Sequence, residues 1–189
     1  MTRAFRTDPV PPELLDDIVD LASRAPSAGK TQGWHLVVLT GDETSRFWDV
    51  TFPPDERPGF AFPQLLDAPV IALPLADPNA YLTRYSEPDK AGSGLGGSTD
   101  SWPAPYWTID TAMAVMTLLL AAEDAGLGAL FFGVFDREAD LRADLGVPDG
   151  LDLLGAIALG YPAGGEPRGG GSASRRRRPP GEIVHRGEW

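Results

Sequence analysis

Between Tyr106 and Gly133 the chain reads YWTIDTAMAVMTLLLAAEDAGLGALFFG, and this stretch constrains the fold more than any other. Its first part has helical character from Tyr106 to Asp124 and is nearly apolar around its whole circumference in the second half. Such a helix has little to offer water and is predicted to be central. Gly126 and Gly128 follow as C-terminal cap signals. ALFFGVF then reads as a buried strand interrupted by Gly133. From Ala112 to Ala122 the apolar run falls well short of the roughly 20 residues needed to cross a bilayer, so it belongs inside a protein core.

The flanking sequence supplies layers to bury that helix. PELLDDIVDLASRA places Leu14, Leu15, Ile18, Val19, Leu21 and Ala22 at helical spacing, with acids early and Arg24 late. HLVVLTG reads as a strand, DETSRFWDV as a helix opened by an acid, and PQLL as a helical turn broken at Ala68 and Pro69. A strand from Val70 to Ala76 follows, and Pro74 within it points to an edge or a bulge. DREADLRADLGV reads as a short helix stopped by Gly146, and LLGAIALGYP as the last core strand. Helix and strand therefore alternate four times within a single domain spanning 1–189. Residues 77–105, rich in Gly, Pro and Ser, are expected to form an irregular loop or lid. Residues 164–174 have linker composition, and 175–189 form a basic arm.

Composition removes several kinds of chemistry. With no cysteine and only His35 and His185, thiolate chemistry and disulfides are excluded and a histidine-rich metal site is not expected. A formal net charge of −11 argues against nucleic acid as a partner. The opening MTRAFRTDPVPPELL carries no apolar run behind its basic residues, so neither a secretory signal nor a membrane anchor is expected and a cytoplasmic location is. GSGLGG follows no apolar strand and makes a poor dinucleotide fingerprint. A cofactor is left as the natural source of reactivity.

One corner is too specific for a plain connection. APSAGKTQGW, Ala25 to Trp34, resembles the PS-x-x-N-x-Q-P-W corner that follows the first helix in the FMN-dependent nitroreductase family. RAFRTDPVPPELL is similar to the family's opening, and DTAMAVMTLLLAAEDAGLGALFFG to its central helix, glycine cap and flavin-side strand. GAIALGYPA and RRRRPPGEIVHRGEW are similar to its closing strand and C-terminal arm. The likeness covers nearly the whole chain apart from 77–105.

That resemblance implies an α+β fold: a central, mainly antiparallel sheet flanked by helices, in a homodimer whose C-terminal arms are exchanged and whose two FMN sites are each lined by both subunits. By position, Arg3 matches a basic residue near the flavin's polar edge. Pro26, Ser27 and Ala28 match the corner that reaches the neighbouring subunit's flavin. Phe132 and Gly133 match backbone beside ring atom N5. Arg175 and Arg177 match the pair on the FMN phosphate, with four consecutive arginines leaving the register open by one. Guanidinium groups suit a phosphate monoester, and a solvated charged face is the plainer reading of the same run. Lys30 stands where the family usually has asparagine, placing a positive charge near the cofactor. Gly33 stands where it usually has proline, which is expected to loosen the corner. The chain begins short of an arginine common just upstream of the family's opening. This throws phosphate binding onto Arg175 and Arg177, unless the natural start lies further upstream. Trp102, Tyr106 and Trp107 either wall a planar substrate site or anchor the loop beside them.

The activity implied is hydride transfer from NADH or NADPH through FMN to a planar acceptor such as a nitroaromatic or a quinone, in a ping-pong cycle. No side chain is assigned as an obligate acid or base. Two alternatives stay open: a specialised dehydrogenase or oxygen-using enzyme on the same scaffold, and a flavin-sequestering protein without turnover.

Overall fold

Prolines set the start of α1 (Pro12–Ser23), where fixed φ and a missing N–H cost nothing at the first helical position. The computed structural model describes residues 1–164 and 174–189, so the linker expected at 164–174 lies, its two ends excepted, outside the described residues. After α1 come β1 (Trp34–Thr40), α2 (Thr44–Thr51), β2 (Val70–Ala76), α3 (Pro78–Tyr85), α4 (Tyr106–Asp124), β3 (Gly128–Phe132), α5 (Glu138–Leu145), β4 (Asp152–Leu153) and β5 (Ala156–Gly160).

All pairings in the sheet are antiparallel. The order is β1–β2–β5–β3, and β4 pairs with the end of β2. Side chains on β2 and β5 alternate between two cores, as the two-residue period of a strand requires. Val70, Ala72, Ile157 and Leu159 face the layer of α1 and α4, while Ile71, Leu73, Ala156 and Ala158 join Phe47, Trp48 and Leu141 of α2 and α5. Both faces of these strands are covered, which is why they read as unbroken apolar runs.

Four expectations need correcting. Pro74 is not on an edge, because β2 is a central, fully buried strand. It does face a bulge: Ala72 pairs with Ile157 and Leu75 with Leu153, so two residues of β2 lie opposite three of the facing segment. Pro74 pairs with Leu36 of β1, and on the other side its carbonyl accepts from Leu154 N at 3.0 Å. A residue's N and O point to the same side of a strand, so the missing donor faces the break between β4 and β5, where no ladder bond is lost. The 77–105 segment is more regular than its composition suggests. Asp77 caps α3 by accepting from Asn79 N and Ala80 N, and Pro78 occupies the first helical position. Gly128 is no cap but the first residue of β3, where a Cβ would meet Thr2 Oγ1 at 2.5 Å. Finally, α4 packs one face on α1 and the sheet but leaves Ile109, Met116 and Leu120 exposed, the last two at 53% and 59%. Among the described residues no helix is long and apolar enough to cross a membrane.

Candidate functional site

The corner between α1 and β1 is held in a conformation that ordinary side chains avoid. Gly29, Lys30 and Gln32 have φ of 62°, 55° and 53°, so two non-glycine residues within three occupy the left-handed region. Each such residue costs about 1–3 kcal/mol and persists only where its surroundings impose it. Here they do. Ser27 Oγ accepts from Gln32 N at 3.0 Å, and Gln32 Nε2 donates to Ser23 O at 3.2 Å. Thr31 Oγ1 donates to Ala28 O at 2.6 Å. From α3, Arg84 Nε donates to Gly29 O at 2.9 Å. From α4, Asp110 Oδ2 accepts from Ala28 N at 2.7 Å and from the Tyr81 hydroxyl at 2.8 Å. Pro26 and Lys30 stay exposed on the outer surface, and Ser27 and Ala28 are half-buried.

Gly33 closes this corner by close approach. It does not loosen it. A Cβ there would sit 2.7 Å from Tyr81 Cε2 and 2.9 Å from Ala80 Cβ, so the bare backbone lets α3 pack directly on the strand entrance. Trp34 beside it is half-buried against the α1/α4 core.

The electrostatics follow from these contacts. Burial, with Asp110 beside it, pushes the Tyr81 hydroxyl far above the usual phenol value, so it stays a proton donor. Arg84 also binds Asp89 through two contacts of 2.7 and 2.8 Å. The bidentate pair holds the Asp89 carboxyl below the ordinary range and raises the guanidinium. Arg84 thereby ties the start of the glycine-rich segment to the corner.

Trp102 is buried, and its indole N–H donates to Leu95 O at 2.9 Å. Its ring stands edge-on to Tyr81 and Tyr85, with Tyr106 and Trp107 completing the cluster. Trp107 Nε1 donates to Asp152 Oδ2 at 3.0 Å. Tyr106 lies on the outer side of this cluster and Trp107 is half-exposed.

Phe132 and Gly133 lie elsewhere. Phe132 ends β3 and Gly133 follows it, at the other edge of the sheet from β1. The Phe132 ring stacks on Trp48 at 5.9 Å and meets Phe47 edge-on at 6.0 Å, so the side chain belongs to the core while the Gly133 backbone is exposed. Beside them opens a cleft of about 320 Å³ walled by Phe52, Phe60 and Phe135. The Arg3 guanidinium lies 5.3 Å over Phe62, whose ring stands edge-on to Phe60 of that cleft. Three strand spacings of about 4.8 Å separate the sheet edges, so on the order of 14 Å lies between the β1 and β3 edges of one chain.

In the arm, Arg176 and Arg178 both close on Glu182, and His185 stacks on Trp189 at 4.2 Å. Among the described residues Arg175 and Arg177 make no hydrogen bond or ion pair. No cluster of potential metal ligands occurs there either.

Sequence reasoning missed Asp110, Tyr81 and Arg84. Asp110 had a legible signal, being the sole charge from Tyr106 to Ala122.

With this geometry in view, the comparisons with known proteins are decisive at the family level. The nitroreductase family matches residues 1–94 and 98–161. The chain belongs to the nitroreductase family. The match takes in most of the 77–105 segment, which the sequence reading had left outside the likeness. An NADH dehydrogenase of Thermus thermophilus is 30% identical over 175 residues, covering 85% of this chain and 82% of its own. A nitroreductase-like protein of Streptococcus mutans superimposes with a TM-score of 0.76 at 18% identity, over 97% of this chain and 92% of its own. An FMN-dependent nitroreductase of Clostridium difficile gives 0.65 at 20% identity, over 100% and 94%. This nitroreductase-family chain is an oxidoreductase with the family's α+β fold.

Proposed function

We propose that the protein is an FMN-dependent oxidoreductase that passes a hydride from NADH or NADPH to a planar acceptor, such as a nitroaromatic or a quinone, in two half-reactions. The observation that carries this reading is the pairing pattern in the arm. In a chain of net charge −11, Arg176 and Arg178 are spent on Glu182 while Arg175 and Arg177 stand ready for an anion. Two guanidiniums suit a phosphate monoester, each giving charge-assisted hydrogen bonds. The donor chemistry therefore fits FMN, and the alternation favours Arg175 and Arg177 within the run of four.

Bound FMN would supply the redox chemistry, and the chain would supply placement and field. Arg3 is the donor toward negative charge at the pyrimidine edge, and exposed Gly133 backbone with Phe132 forms the shelf beside N5. Pro26, Ser27, Ala28 and Lys30 serve the partner subunit's cofactor, in keeping with their position at the opposite sheet edge from Gly133. Ile109, Met116 and Leu120 on α4 give a homodimer its apolar contact, and the arm completes it by exchange. Exposed Ile183, Val184 and Trp189 on that arm are then covered. Tyr106 and Trp107 wall the acceptor site, with Trp102 holding them from behind.

Steady-state oxidation of NADH and NADPH, with nitroaromatic or quinone concentration varied against each, tests the scheme. Parallel double-reciprocal lines are expected. Intersecting lines would rule out the two half-reactions, and no turnover with any acceptor would favour a sequestering protein.

A further inference from the structure

Asp110 is the least expected charge in the molecule. It is 5% exposed, sits in the second turn of the most apolar helix, and has no cationic partner among the described residues. Burying a carboxylate is costly unless hydrogen bonds compensate it. Its compensation comes from two donors converging on one oxygen, Oδ2: the Ala28 peptide N–H at 2.7 Å and the Tyr81 hydroxyl at 2.8 Å. Ala28 is the residue between Ser27 and the left-handed pair Gly29–Lys30. The carboxylate therefore grips the chain where its direction reverses, 82 residues away in sequence.

We propose that Asp110 is a positioning residue: with Tyr81 as its second ligand, it fixes the Ala28 N–H and thereby holds the strained Ser27–Gln32 corner in the conformation that serves the partner subunit's cofactor. The link to the cofactor rests on the FMN reading above, whereas the clamp itself does not. Tyr81 keeps its proton because burial and Asp110 both oppose its ionisation, so the clamp has a permanent donor. Arg84 on Gly29 O and the Tyr85 ring 3.0 Å from a Cβ at Gly29 brace the same turn from α3. Hydrogen bonding rather than charge does the holding. An asparagine can turn its carbonyl oxygen to both donors and place its NH2 where Oδ1 stands, so it preserves the clamp, whereas alanine strands the Ala28 N–H and the Tyr81 hydroxyl.

The test compares Asp110→Ala, Asp110→Asn and Tyr81→Phe in the full-length chain by two readouts. The first is the rate of trypsin cleavage between exposed Lys30 and Thr31, with cleavage after Arg137 on the far side of the sheet as the internal control. The second is the FMN dissociation constant. Stranding a buried donor is expected to raise Lys30 cleavage about tenfold in Asp110→Ala with Arg137 cleavage unchanged, and to raise the FMN constant in parallel. Asp110→Asn is expected to return both to within about twofold of wild type, and Tyr81→Phe to fall between. Wild-type cleavage at Lys30 in Asp110→Ala, or an equal rise at both sites, would overturn the proposal. So would Asp110→Asn behaving like Asp110→Ala. Should Asp110→Ala not fold, Tyr81→Phe decides by the same comparison, and a wild-type Lys30 rate there refutes the clamp. Wild-type protein that binds no FMN would defeat the cofactor reading and the proposed link to it, while the cleavage rates would still judge the clamp.

Discussion

Gly33→Ala is the substitution for which the structure and general experience predict opposite signs. At a position with ordinary φ, replacing glycine by alanine restricts the unfolded chain and stabilises by about 0.4–1 kcal/mol. At Gly33 the new methyl would lie 2.7 Å from Tyr81 Cε2, 2.9 Å from Ala80 Cβ and 3.1 Å from Tyr81 Cδ2. Ordinary contacts begin near 3.4 Å, so two neighbours must move by about half an ångström or more. Neither has room. The Tyr81 ring is 1% exposed, edge-on to Trp102 and tied through its hydroxyl to Asp110, and Ala80 is fixed in the first turn of α3. Overpacking of this kind costs about 1–3 kcal/mol, which outweighs the entropic gain and leaves a net loss of about 1–2 kcal/mol. For a domain of this size, that lowers Tm by about 2–8 °C. Thermal unfolding followed by circular dichroism reads it directly. A Tm equal to or above wild type would refute the claim that Gly33 is there for close packing of α3 against the corner.

Two further outcomes follow from the site. Arg175→Ala with Arg177→Ala should raise the FMN dissociation constant at least about tenfold, because charge-assisted hydrogen bonds are worth about 1.5–3 kcal/mol each, while Arg176→Ala with Arg178→Ala should change it far less. Fluorescence titration of FMN checks both pairs. The alkaline limb of stability should depend on Tyr81. Its folded-state pKa lies above the unfolded value of 10.0, so above that pH the unfolded chain has lost a proton that the folded chain keeps. Stability from this group is complete below pH 10.0 and declines as pH rises beyond it, so denaturant unfolding between pH 9 and 11 should show a decline in wild type that is shallower in Tyr81→Phe.

Two elements with a long apolar signal were legible to the residue, whereas the strand read across ALFFGVF stops at Phe132 and LLGAIALGYP holds parts of two strands in place of one. β2 and α4 begin and end where the sequence places them, because burial on both faces of β2 and a glycine cap after α4 leave little choice. Pro74 misled toward an edge because the general exclusion of proline from central strands assumes a continuous ladder on both sides, and here the ladder breaks at the one place where the missing donor falls. α3 was hidden by composition: Gly and Ser from 92 to 101 dominated the segment, although Asp77-Pro78 is a sound helix start. The exposed stripe on α4 was invisible to a pattern that counts apolar residues without knowing which of them the rest of the fold covers. At the candidate site, the corner's unusual residues announced themselves, but what holds them did not. Asp110 and Arg84 are brought to Ala28 and Gly29 only by tertiary packing across 82 and 55 positions, and Tyr81 meets Asp110 across 29.

The most direct measurement is the absorbance spectrum of the purified protein after FMN loading and gel filtration, recorded anaerobically before and after addition of NADH and of NADPH. Flavin bands that travel with the protein and bleach with either nucleotide are the predicted result. Protein that emerges without flavin, or bound flavin that stays oxidised with both nucleotides, would contradict the account.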